Sequence, residues 1–311
     1  MRAPLLHSAL KSTTHFMLRR SSCCKPTKRS MRRAIIVVLL FVSTVWLINI
    51  YNLLSKPMDK IQFDIGKNIH ETAKRSGAPR FSTRNIAGLI SYKILDLPRD
   101  VSLNYERLGY EVSANSLFAF TLYADTENKN NLAVETASLR FSTHHIKSHE
   151  TAKEMVENLI GQFRHGQWKR FIPELCPAVT GRSSFLDESG VINEISACPL
   201  DPGYRLSMDD WKSVIAMTQD YQWLGDGVLA TLTISFSNDS RGLTYSVLLE
   251  FDDFSIKNRR DQQRTLQIFA DGDANGRNTT NKRAEERVAA QLRMKKFEEA
   301  AVARGDTVVS R

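Results

Sequence analysis

Between Arg32-Arg33 and Lys56 the chain runs through 22 positions without a charge, Ala34 to Ser55 (AIIVVLLFVSTVWLINIYNLLS). At ~1.5 Å of rise per residue a helix of this length reaches ~33 Å, enough to cross a hydrocarbon core of ~30 Å. Trp46 and Tyr51 fall toward its distal end, where amphipathic rings settle at the headgroup level. The run is therefore expected to be a single transmembrane helix, and the rest of the chain must be organised around it.

The charge distribution assigns an orientation. The formal net charge is +9, with 43 Lys and Arg against 34 Asp and Glu. Residues 1–33 hold nine of the basic groups (Arg2, Lys11, Arg19, Arg20, Lys25, Lys28, Arg29, Arg32, Arg33) and no acidic one, so the chain beyond them is neutral. Basic residues resist translocation, which keeps the amino terminus in the cytoplasm and exports the chain beyond the apolar run. The same bookkeeping argues against nucleic acid as a partner, because the excess is confined to the tail. Met17 and Met31 are further possible starts; from Met31, only Arg32 and Arg33 would precede the run. A cleaved signal peptide would have a shorter apolar core and small residues before the cut, whereas Leu53-Leu54-Ser55-Lys56-Pro57 has no such pattern.

Cysteine usage fits an exported domain. Cys23 and Cys24 lie on the tail, while Cys176 and Cys198 lie beyond the apolar run. Disulfides persist outside the reducing cytosol, and a Cys176–Cys198 bridge would tie down a polar loop rich in turn residues (PAVTGRSSFLDESGVINEISA). Two separate thiols are the alternative, since spacing alone does not establish proximity.

Along the exported part, residues 56–80 are polar and carry Pro57, Gly66, Gly77 and Pro79; they are expected to form a stalk. Leu117 to Ala124 and Leu132 to Thr143, joined by an Asp- and Asn-rich loop, predict a β-hairpin. Ser148 is a candidate N-cap for a helix whose apolar residues Ala152, Met155, Val156, Leu159, Ile160 and Phe163 recur at spacings of three and four and which stops at Gly166. Ser207 followed by Asp210 begins a second, shorter helix carrying Trp211, Val214 and Ile215, expected to end at Gly225-Asp226-Gly227. Strict alternation from Val228 to Phe236 and from Leu243 to Phe251 predicts a second antiparallel hairpin. Residues 281–304 favour helix by composition but bear only a thin apolar stripe, predicting a solvent-exposed terminal helix.

The predicted fold class is α+β: an antiparallel sheet built from two hairpins with helices packed on one face, preceded by the transmembrane helix. The corresponding divisions are 1–33 cytoplasmic tail, 34–55 anchor, 56–80 stalk, 81–270 exported domain, and 271–311 charged loop with terminal helix.

Motifs that would carry chemistry are sparse. His144, His145, His149 and Glu150 form the densest group of potential metal ligands, but neighbouring strand residues point to opposite faces and cannot converge on one ion. They are weak candidates, and solvated histidines beside a helix start are the expected reading. Asp271-Gly272-Asp273 matches the Asp-x-Asp element with which Golgi glycosyltransferases hold a metal-bound sugar nucleotide, and the anchored layout is similar. That chemistry needs alternating parallel strands and helices, and the pattern here is antiparallel, so Asp271 is expected in a loop. Asp252-Asp253 ends the last strand. Asn238 and Asn278 match glycosylation acceptors, and Trp168, Trp211 and Trp223 are expected in the core. No P-loop, Gly-x-Ser-x-Gly or dinucleotide fingerprint occurs, so no cofactor is implied. The expectation is a cell-membrane protein, single-pass, with a periplasmic binding domain acting on another envelope protein. Its surfaces would be the terminal helix and the Cys176–Cys198 loop. The alternative is an anchored hydrolase or glycosyltransferase-like enzyme.

Overall fold

A computed structural model describes residues 60–311 other than 79, 128–130, 145, 193–197, 241 and 276–278. The expected transmembrane segment lies outside these residues. Among those described, no helix is long and apolar enough to cross a membrane. The fold is α+β with mostly antiparallel sheets and, among the described residues, five α-helices.

The strands are β1 (Lys60–Phe63), β2 (Ser82–Ile86), β3 (Leu89–Leu95), β4 (Ser102–Tyr105), β5 (Val112–Ala114), β6 (Leu117–Asp125), β7 (Thr136–Phe141), β8 (Lys169–Arg170), β9 (Gln219–Gly225), β10 (Val228–Asp239) and β11 (Gly242–Asp253). The helices are α1 (Ile69–Arg75), α2 (His149–His165), α3 (Met208–Ile215), α4 (Phe254–Ala274) and α5 (Thr279–Ala303). Eight strands form one sheet in the order β2-β3-β6-β7-β11-β10-β9-β8, and β1-β4-β5 form a smaller one in which β1 and β4 run parallel. The large sheet is two four-stranded meanders joined where β7 pairs with β11, Leu139 opposite Leu249.

Both predicted hairpins are present, as β6–β7 and β10–β11. Because side chains alternate, register assigns each residue a face. Phe120 and Leu122, Leu139, Leu249 and Phe251, Leu232, and Tyr221 and Trp223 share the inner face and are buried. Onto that face pack α2 and the small sheet: Phe163 stacks on Trp223 at 4.0 Å, Tyr105 stacks on Phe251 at 4.7 Å, and Phe63 meets Phe120 at 5.2 Å. Both predicted caps hold, Ser148 accepting from the Thr151 amide and Ser207 from the Asp210 amide.

Four sequence readings are corrected. The expected stalk is part of the folded body: Ile61, Phe63, Ile65 and Ile69 are buried, and Asn68 caps α1 by accepting from the amides of His70 and Glu71. A four-residue strand and a two-turn helix are too short for their periodicity to stand out. The helix begun at Ser207 stops at Ile215, and the Gly225 it was expected to reach ends β9 instead. The large sheet holds β2–β3 and β8–β9 besides the two hairpins foreseen. Asp271-Gly272-Asp273 lies within α4 rather than a loop. A Cβ on Gly272 would come within 2.5 Å of the Thr279 methyl, so the glycine serves the close approach of α5 to α4.

Candidate functional site

The expected metal ligands do not converge. Exposed His144 stands edge-on to Phe118, His145 lies outside the described residues, and Glu150 is exposed in the first turn of α2. Glu150 is held below the usual carboxylate range by its own backbone N–H and by the Ser148 hydroxyl, a helix-start arrangement. His149 is turned inward instead. Its Nδ1 lies 2.6 Å from the Tyr245 hydroxyl, which accepts from the Trp211 indole N–H at 2.9 Å. An indole only donates, so the Tyr245 oxygen is the acceptor in its bond with Trp211. This ring of side chains joins α2, α3 and β11. Among the described residues, no group of three or more His, Cys, Asp or Glu is placed to hold a metal ion.

Cys176 and Cys198 are paired, with 5.5 Å between their Cα atoms. The bridged segment and the chain end, expected as two separate surfaces, meet. Val179 pairs with Val308, the Val309 amide donates to Ala178, and the Asp306 carboxylate accepts from the Ser183 amide. Phe297 and Ala301 of α5 bury Val179 beneath them. Farther along, α5 leaves Val288 and Leu292 exposed.

None of His144, His149, Glu150 and Asp271 lines any of four clefts formed by described residues. One of about 180 Å³ lies between α2 and residues 203–206, where Glu157 binds Lys153 and Arg205. Burial pushes the Glu157 carboxyl up, but the two cations outweigh it and hold it below the usual range. Another, about 190 Å³, is lined by Asp252, Lys257 and Arg260.

The largest of the four, about 820 Å³, lies on the outer face of β2, β3 and β6. Its lining follows from register. Ser82, Lys93 and Thr121 form one cross-strand row; Arg84, Ser91 and Tyr123 form the next; Ile86 and Leu89 form the third. All three rows are on the side away from the core; Thr121, on the inner strand, is buried, and exposure rises toward β2. Ile86, Leu89 and Leu95 are exposed to 66%, 42% and 50%, where a sheet face normally carries polar residues. Arg80, Arg84 and Lys93 also line the cleft, and its lining contains no carboxylate. None of the three cations has a carboxylate partner among the described residues. Asp125, at the end of the third row, is already held by Arg260 at 2.9 Å.

The β2–β3 hairpin that builds this face was not anticipated from the sequence. Its signal was present in Ile90, Tyr92 and Ile94 alternating with Ser91 and Lys93 after an Ala87-Gly88 turn. Both turn residues adopt positive φ, 49° and 84°, the conformation a two-residue hairpin loop needs. Alanine in the first position disguises it, since asparagine or aspartate is the usual marker. Comparison of the chain with family models, with curated proteins and with solved structures finds no match.

Proposed function

We propose that this is a single-pass membrane protein whose exported α+β domain acts by binding another envelope protein. The observation that carries this reading is the outer face of β2 and β3 beside β6, where Ile86, Leu89 and Leu95 are exposed. It combines a concave surface, three exposed apolar side chains and three cations with no carboxylate among the lining residues. Apolar surface rimmed by polar groups marks interaction sites. A membrane tether would keep such a face near its partner and raise the effective concentration without adding contacts. The paired Cys176 and Cys198 fit an oxidising compartment. The alternative of an anchored hydrolase or transferase would be favoured by a cleft that gathers His144, Glu150 and Asp271, and these residues line none of the four clefts described.

Two measurements test the proposal. A phosphatase fused to the carboxyl end is expected to be active only when exported, and activity of a cytosol-restricted reporter in its place overturns the topology. A photo-crosslinking residue at Ser91 is expected to give a discrete adduct in cells that the Arg84→Glu/Lys93→Glu double variant loses. The same crosslinker at Ser213, on exposed α3 surface, should give none. Identical adducts at both positions would remove the interface.

A further inference from the structure

Resting on the binding role proposed above, we infer that the partner docks as an extended acidic segment that pairs with β2 and becomes a ninth strand of the large sheet. β2 is the terminal strand in the sheet order, and all five of its residues are exposed. Edges of this kind are usually blunted by proline, a bulge or a covering loop. Ser82–Ile86 contains no proline and pairs with β3 without a register shift.

The hairpin geometry identifies the free main-chain groups. A two-residue loop makes Ile86 and Leu89 the first hydrogen-bonded pair, and such pairs alternate along an antiparallel ladder. Ser82, Arg84 and Ile86 therefore spend their main-chain groups on β3, while Thr83 and Asn85 turn N–H and C=O outward. A strand added here bonds at Thr83 and Asn85, and its alternate side chains fall beside the three outer-face rows.

The rows state what those side chains should be. A residue beside Ser82 reaches Lys93 in the same row, a residue beside Arg84 meets the guanidinium, and a residue beside Ile86 meets Ile86 and Leu89. The complementary strand reads acidic, any, acidic, any, apolar, in either chain direction. A second copy of this chain is disfavoured, because two-fold pairing of β2 about its centre sets Arg84 against Arg84 and brings the other cations together.

The test uses the full chain in detergent micelles and a capped, fluorescent heptapeptide of threonine with glutamate, glutamate and valine at alternate positions. Binding by anisotropy is expected at micromolar to millimolar peptide, at least tenfold weaker when lysine replaces both glutamates. Asn85→Pro removes an outward N–H and no bond to β3, so it should leave the melting temperature unchanged and weaken binding at least tenfold. Arg84→Glu should reverse the preference toward the lysine peptide. Equal affinity for the two peptides, no binding at millimolar peptide, or full binding by a folded Asn85→Pro variant overturns the inference. So does dimerisation of the chain through β2, or competition of phosphatidylglycerol vesicles for the same face. An in-cell adduct at Ser91 that survives Asn85→Pro would leave the binding role standing and remove the added strand.

Discussion

Asp210 and Asp252 are two carboxylates with opposite linkage to pH. Asp210 is held below the usual range by hydrogen bonds from Arg182, whose Nη2 lies 2.8 Å away, and from Ser207. Its stabilising contribution is complete above the ordinary aspartate value and is lost as pH falls through the depressed one. Asp252 is pushed up by burial, against the Thr136 hydroxyl that donates to it at 2.6 Å. The native state therefore takes up this proton first, and stability falls as pH rises from the ordinary aspartate value through the raised one. Asp252→Asn should be at least as stable as the parent at neutral pH, with a flatter slope across the weakly acidic range in urea titrations at stepped pH. Asp210→Asn should cost about 1 kcal/mol at pH 7, discounted because half of Arg182 faces water, and progressively less as pH falls from the ordinary aspartate value through the depressed one. Equal behaviour of the two variants would contradict these assignments.

At the scale of elements, legibility followed length and periodicity. α2 and the β10–β11 hairpin run long enough for their periods to be unmistakable, so their limits were readable to within a few residues. β1, α1 and β8 have four, seven and two residues, and they fold because the large sheet offers them a surface. The disulfide was legible as one of two alternatives, since compartment and loop composition favoured it and proximity did not show. What could not be read was that the chain end would close over the bridged loop, a contact between residues more than a hundred positions apart. Of the candidate site, the charges were visible but their convergence was not. It depends on β2 folding back on β3 through Ala87-Gly88, a turn whose alanine hides the usual marker. Cys176→Ser/Cys198→Ser should cost ~3 kcal/mol in the chain-entropy model. Truncation after Gly305, which removes the Val179–Val308 pairing and the Asp306 acceptor of the Ser183 amide, should add about 2 kcal/mol, or roughly 4–8 °C in melting temperature. If calorimetry gives strictly additive losses with no coupling, the bridged loop and the terminal segment do not form one structural unit.

For the whole molecule, the β7–β11 pairing decides the fold. Each half is built from hairpins and one longer link, β3 to β6 or β8 to β9, but the line that joins the halves is made between residues about 139 and about 249, the kind of distant contact that slows folding. Leu249 is fully buried on that line, and Leu249→Ala should cost about 3–4 kcal/mol in equilibrium urea denaturation. A loss below about 1 kcal/mol would mean that the two meanders are held by their covering layers instead. The two ends of the sheet are unequal. β8 contributes only two residues, and beside it the Leu200 amide donates to Asp220 of β9, whereas β2 is terminal and exposed at all five residues. A sheet with one receptive margin and one closed margin can be capped but cannot be propagated. The recruitment proposed at β2 would therefore find one seat on each chain, which sets one-to-one as the composition to look for in the complex.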